Sequence, residues 1–163
     1  MFWWHKARCS NQHDALEKID KRMCDTCVDS YGKDIIALVI GDFKMKFELM
    51  SSRETTLEHY GKRGISWHGF CIQFYLLHDE EKDDGTTNKV PKKYTVYLNQ
   101  ILTDSNKQDS LCVLALLDAA MKQINQELPC IKSIILQTDN AKSYSNGFLL
   151  CAIPFLNLVY SNS

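Results

Sequence analysis

Little glycine and proline, no net charge to speak of and no long apolar run mark this 163-residue sequence, which has 7 Gly, 3 Pro and a formal charge of -1 at pH 7. With 45% hydrophobic and 24% charged residues the composition is that of an ordinary soluble globular chain, and the length is that of one domain. The balance of 19 basic against 20 acidic residues excludes nucleic-acid binding through bulk charge. No apolar stretch reaches membrane-spanning length, and charges follow Met1-Phe-Trp-Trp4 at once, so neither a span nor a signal-peptide core is expected. No Asn-x-Ser/Thr acceptor occurs either.

What is present is unevenly spread. Acids crowd between Asp79 and Asp84, while cations gather at Lys44, Lys46, Arg53, Lys62 and Arg63 and again at Lys89, Lys92 and Lys93, so local fields would do any steering. The seven cysteines are odd in number, and Cys71, Cys112 and Cys151 sit in apolar runs where a thiol behaves as a small hydrophobe. That is the pattern of a reducing compartment, and an intracellular location, nuclear or cytoplasmic, is expected.

The organising stretch is Ile35-Ile-Ala-Leu-Val-Ile-Gly-Asp-Phe-Lys-Met-Lys-Phe47. Six consecutive apolar residues read as a strand buried on both faces. Alternation then gives one face of Ile36, Leu38 and Ile40 followed by Asp42, Lys44 and Lys46, so that a core strand opens onto water or charge at Asp42. Ile131-Lys-Ser-Ile-Ile-Leu-Gln-Thr-Asp139-Asn140 repeats the device.

Residues 1–30 read as an amphipathic helix with Trp4, Ala15, Leu16, Ile19 and Met23 as its apolar positions, and form a segment of their own ahead of a domain over 31–163. His5, Cys9 and His13 share a helix face and Cys24-Asp-Thr-Cys27 follows. These five have zinc-ligand chemistry but lack a second tight pair, and surface histidines with half-buried thiols is the preferred reading. Tyr31 to Asp34 is a turn. Ser51 to Tyr60 reads as a short capped helix, and Gly61-Lys-Arg-Gly64 sets Lys62 and Arg63 in a turn that suits either solvated cations or a phosphate backbone.

Strands are expected over Ile65–Leu77 and Lys93–Ile101, with a mobile acidic loop at His78 to Asn88 between them. Leu111, Leu114, Leu117, Met121, Ile124 and Leu128 recur at helical spacing, with Ser105 and Gln108 as a capping box. A strand over Ile131–Thr138, a polar loop over Asn140–Gly147 and a helix over Phe148–Tyr160, kinked or ended by Pro154, complete the chain. The fold class is α/β: an antiparallel three-strand meander, then helix, parallel strand and helix on a mixed sheet.

If the first and last strands pair, Asp42 and Asp139 end adjacent parallel strands about 4.8 Å apart. Carboxylates so placed suit a hard divalent cation, Mg²⁺ or Mn²⁺, of the kind that promotes in-line displacement at phosphodiesters. The competing reading makes Asp139 a turn or cap residue, whereas Asp42 is costly to place unless solvated, paired or ligated.

Asp42-Phe-Lys-Met-Lys46, Ser52-Arg-Glu-Thr55, Tyr60-Gly-Lys-Arg-Gly64, Trp67-His68 and Thr138-Asp-Asn-Ala-Lys142 resemble, in order, blocks of transposon-derived eukaryotic proteins with a ribonuclease-H-like, DDE-transposase or integrase-type core. The resemblance spans about Ile35 to Pro154. It implies a five-stranded sheet in the order 3-2-1-4-5, with Asp42 and Asp139 as catalytic acids and metal ligands, and with DNA as partner. It also implies Lys62, Arg63, Lys44 and Lys142 as nucleic-acid contacts and His68 as a weaker active-site neighbour. The family's third acid follows a later strand that this sequence does not reach; Asp109 and Asp118, on the long helix, are the substitutes to weigh, though Asp109 suits a helix N-terminus and Asp118 solvent. The expectation is a fragment or degenerate copy of a DNA strand-transfer enzyme, inactive as it stands. The alternative is a non-catalytic nucleic-acid-binding or protein-interaction module of the same fold.

Overall fold

The computed structural model describes residues 2–44, 64–81, 87–102, 108–139, 141, 143, 144 and 147–160. Three helices and four strands occur among them: α1 (Phe2–Asp29), β1 (Ile35–Phe43), β2 (Ser66–Glu81), β3 (Thr87–Leu102), α2 (Ser110–Glu127), β4 (Ile131–Thr138) and α3 (Gly147–Tyr160). The strands form one sheet in the order β3-β2-β1-β4. The expected short helix at Ser51 to Tyr60 lies outside the described residues.

The chain divides into two compact units, one of Met1–Val39, Ile72–Val96 and Cys130–Ile135, the other of Ile40–Cys71, Tyr97–Pro129 and Leu136–Ser163. Each takes a segment of every strand. The first holds the leading halves of β1, β3 and β4 with the trailing half of β2, so β1 and β4 run parallel and β2 opposes its neighbours. The sheet is therefore mixed, as a helical crossover between β3 and β4 requires.

In the first unit α1 contributes Met23 and Cys27 to a core shared with Ile35, Ala37, Leu38, Val39, Ile72 and Phe74. Ala15 is exposed, so the buried stripe of α1 runs through Met23 to Cys27. Asp20, on the same helix, accepts hydrogen bonds from the Tyr75 hydroxyl at 2.9 Å and from Lys93 at 2.5 Å. The helix ends in two reverse bonds, Gly32 N–H to Cys27 O and Tyr31 N–H to Val28 O, with Tyr31 at φ 55° and Gly32 at φ 76°. That is the left-handed termination usually given to glycine at its first position.

β2 and β3 are each 16 residues long, and strand continues to Glu81 and resumes at Thr87. Of the segment expected to be a loop from His78 to Asn88, His78–Glu81 and Thr87–Asn88 are strand, and residues 82–86 lie outside the described residues. Backbone pairing extends past the apolar residues because a hairpin satisfies its hydrogen bonds whether or not its side chains are buried.

In the second unit α2 buries Val113, Leu116, Leu117, Ala120 and Ile124 and leaves Leu111 63% exposed. The leucine spacing was therefore right for Leu117 and Ile124, whereas Val113, Leu116 and Ala120 are buried in place of Leu111. Asp109 caps the helix, its carboxylate accepting from Cys112 N–H at 2.9 Å, while Ser105 of the expected Ser105–Gln108 capping box lies outside the described residues. Gln108 instead donates to Ser66 Oγ at 3.4 Å. α3 packs on α2 and continues through Pro154, and the Tyr160 hydroxyl donates to Asp118 Oδ1 at 2.8 Å. Asp109 and Asp118 are both occupied in this way.

Candidate metal centre

β1 carries its core character to the point where it is cut. Ile35 through Val39 are buried, Gly41 is buried, and Asp42 is exposed. Gly41 has a steric reason: a Cβ there would stand 2.7 Å from Phe70 Cε1. Lys44 N–H donates to Trp67 O at 2.8 Å and closes β1 on the start of β2. Phe43 meets the His68 ring edge-on at 4.8 Å, so alternation assigns Asp42 to the other face, together with Lys44 and Trp67.

β4 ends at Thr138, and Asp139 follows it, exposed, with Oδ1 accepting from Ala141 N–H at 3.1 Å. This is the turn-forming role expected of an aspartate two residues ahead of its donor, and among the described residues it leaves the second carboxylate oxygen open. Ala141 O in turn accepts from Tyr144 N–H at 2.9 Å. Tyr144 is only 4% exposed, although it lies in a polar stretch that gave no sign of burial.

Asp42 and Asp139 therefore stand at the same end of neighbouring parallel strands, in one unit. Both act on one group. Burial raises the Tyr144 phenol well above the ordinary tyrosine range, and the charges of Asp42 and Asp139 raise it further. Among the described residues neither carboxylate is held in an ion pair.

Behind this end lies a buried polar line. The Tyr144 hydroxyl is 2.6 Å from Nε2 of His68, a residue with no exposed surface. Burial pushes the His68 imidazole down to about 4, with the Gln100 side chain opposing the fall. His68 Nδ1 and Gln100 Oε1 are both buried without a partner of full hydrogen-bond geometry. A neutral ring protonated at Nδ1 resolves both, donating towards Gln100 while Nε2 accepts from Tyr144. Gln100 is itself fixed by donating to Leu116 O at 3.0 Å.

Of the expected nucleic-acid contacts, Lys44 is placed on the face of Asp42. Its Nζ lies 4.6 Å above the Trp67 ring and 3.2 Å from Asn99 Oδ1, which also accepts from Trp67 Nε1 at 3.1 Å. Lys62, Arg63 and Lys142 lie outside the described residues. Trp67–Asn99 and His68–Tyr144 were not evident beforehand, because pairs so far apart in sequence leave no local spacing to read.

The zinc set is only partly described, since the side chains of His5 and Cys9 are not. Cys27 is buried and Cys24 half-buried, and desolvation raises both thiols. His13 pairs instead with Glu17 at 3.5 Å, and His13, Asp14 and Glu17, all exposed, form the one three-residue donor group among the described residues.

Comparison of the chain with protein-family models, curated proteins and solved structures finds no match to any of them. Among the described residues no helix is long and apolar enough to cross a membrane.

Proposed function

We propose that this chain carries the two-aspartate portion of a ribonuclease-H-like core of the DDE-transposase kind, as a fragment or degenerate copy. Asp42 and Asp139 are the ligands of a Mg²⁺ or Mn²⁺ ion, and a DNA phosphodiester is the substrate class. The observation that carries the reading is the sheet order β3-β2-β1-β4 with β1 and β4 parallel, Asp42 next to the last residue of β1 and Asp139 directly after β4. It supports the reading because the resemblance implies four strands in that same order, with acids at those two places.

The donor set fits a hard cation: two exposed, oxygen-only carboxylates, free of ion pairs among the described residues. When bound, such an ion helps to activate a water or 3′-hydroxyl and to stabilise the leaving oxygen of a phosphodiester. The chain's own residues do the placing. Asp42 faces the ion from β1 and Asp139 from the turn directly after β4, and Lys44, steadied by Trp67 and Asn99, offers a cation to a phosphate on the Asp42 face. Two acids hold a divalent ion weakly, so binding comes ahead of turnover in this reading.

The test is Mn²⁺ binding to the intact chain, followed by loss of the free-ion electron paramagnetic resonance signal. Saturable binding is expected, weakened by about tenfold or more in Asp42→Asn and in Asp139→Asn. Undiminished binding in either variant removes the assignment. Salt-dependent DNA binding that survives both substitutions, without Mg²⁺-dependent cleavage, would favour the non-catalytic module instead.

A further inference from the structure

The short segment from Asp139 to Tyr144 must hold a carboxylate in place with few apolar residues of its own. Two local bonds shape it, Asp139 Oδ1 with Ala141 N–H and Ala141 O with Tyr144 N–H. Among its described residues the deeply buried anchor is Tyr144. The Tyr144 ring lies 5.9 Å from Phe43, the residue after Asp42, and its hydroxyl ends on His68 at 2.6 Å. His68 is in turn wedged between Phe43 at 4.8 Å and Phe70 at 4.4 Å, with Gln100 behind it. One aromatic cluster thus grips the neighbour of Asp42 and the tether of Asp139.

Resting on the metal reading above, we infer that Tyr144, locked by its hydrogen bond to His68, is a positioning residue that fixes Asp139 beside Asp42 so that both carboxylates meet one divalent cation. Tyr144 is not itself a ligand. Its hydroxyl is spent on a buried imidazole, on the face opposite to Asp42. Its effect passes through the turn at Ala141 on one side and through Phe43 on the other. The Tyr144–His68 bond matters more than the ring alone, because without it the phenol has no buried acceptor and the turn loses its fixed end.

The experiment compares the unaltered chain with Tyr144→Phe and with the double variant His68→Leu/Tyr144→Phe, using thermal midpoints, Mn²⁺ affinity and imidazole ¹⁵N shifts of the metal-free protein. In the unaltered chain His68 gives the shifts of a neutral ring protonated at Nδ1, and its Nε2 shift moves in Tyr144→Phe. Tyr144→Phe binds Mn²⁺ roughly tenfold more weakly. The double variant strands neither partner of the pair, though it leaves Gln100 Oε1 without its donor, and so recovers part of the midpoint, yet it keeps the weakened Mn²⁺ binding. Affinity that recovers along with the midpoint, or that never fell, overturns the positioning role. If Tyr144→Phe does not fold, the double variant alone decides between these outcomes. Asp42→Asn and Asp139→Asn run alongside: if they too leave Mn²⁺ binding unchanged, it is the metal reading that has failed.

Discussion

His68 Nε2 and the Tyr144 hydroxyl stand 2.6 Å apart across 76 positions of sequence, and water reaches neither freely. A polar pair so buried has a titration consequence. Desolvation lowers the folded imidazole from 6.5 to about 4, against a smaller upward pull from Gln100, so the unfolded chain takes up a proton first as pH falls. Stability is then full above the unfolded pKa and declines below it, by about 2 kcal/mol between about pH 7.5 and pH 5 from this group. Denaturant unfolding at those two pH values measures it. His68→Leu should flatten the decline, and an equally steep decline in that variant would assign it to other groups.

At the end of α1, Tyr31 occupies a left-handed conformation with its side chain 80% exposed. Tyr31→Gly removes the conformational penalty and sacrifices little contact, so it should stabilise the chain by about 0.5–1 kcal/mol. A lowered thermal midpoint would mean that the phenol ring makes a contribution its exposure conceals.

Gly41 permits Phe70 to lie directly over β1. Gly41→Ala would bring a methyl to 2.7 Å from a ring that is itself buried, so the ring or the strand must shift. The expected loss is about 1–3 kcal/mol in urea unfolding. Phe70→Leu in the same background should recover part of it by relieving the clash.

The Asp20 carboxylate joins Tyr75 and Lys93. Burial raises its pKa, but the bonds from Lys93 and Tyr75 outweigh that and leave it lowered, while burial and then Asp20 push Tyr75 up to about 12. The Asp20 contribution is therefore present above 3.8 and fades as pH falls through the lower folded value. Asp20→Ala should cost about 1 kcal/mol near neutral pH, since the site is partly solvated, and should reduce the acid sensitivity of the midpoint.

Elements whose apolar pattern is local were legible in the sequence. β4 occupies Ile131–Thr138 as expected, and β1 is buried on both faces until Asp42 breaks it. What escaped was decided elsewhere in the chain. Leu111 is exposed although it fits the helical period, because the face of α2 that packs is chosen by its surroundings, and those admit Val113 and Ala120. Asp109 caps α2 without the box partner three residues on, since one side-chain oxygen suffices for Cys112 N–H. Tyr144 looked like part of a polar loop, and only its acceptor on a distant strand explains its burial. Asp42 and Asp139 stood out because a carboxylate after a buried strand is an anomaly visible without any partner.

The sheet order also decides how this molecule meets others. β3 forms one border of the described sheet, and there Pro91 withholds an amide while the charges of Lys89 and Lys92 disfavour pairing with a foreign strand. The opposite border is β4, eight residues long, whose exposed Lys132 and Ser133 give way to half-buried Ile134 through Thr138. Edge pairing is consequently disfavoured along the proline-bearing flank, while the opposite border of the described sheet is the strand that leads into Asp139.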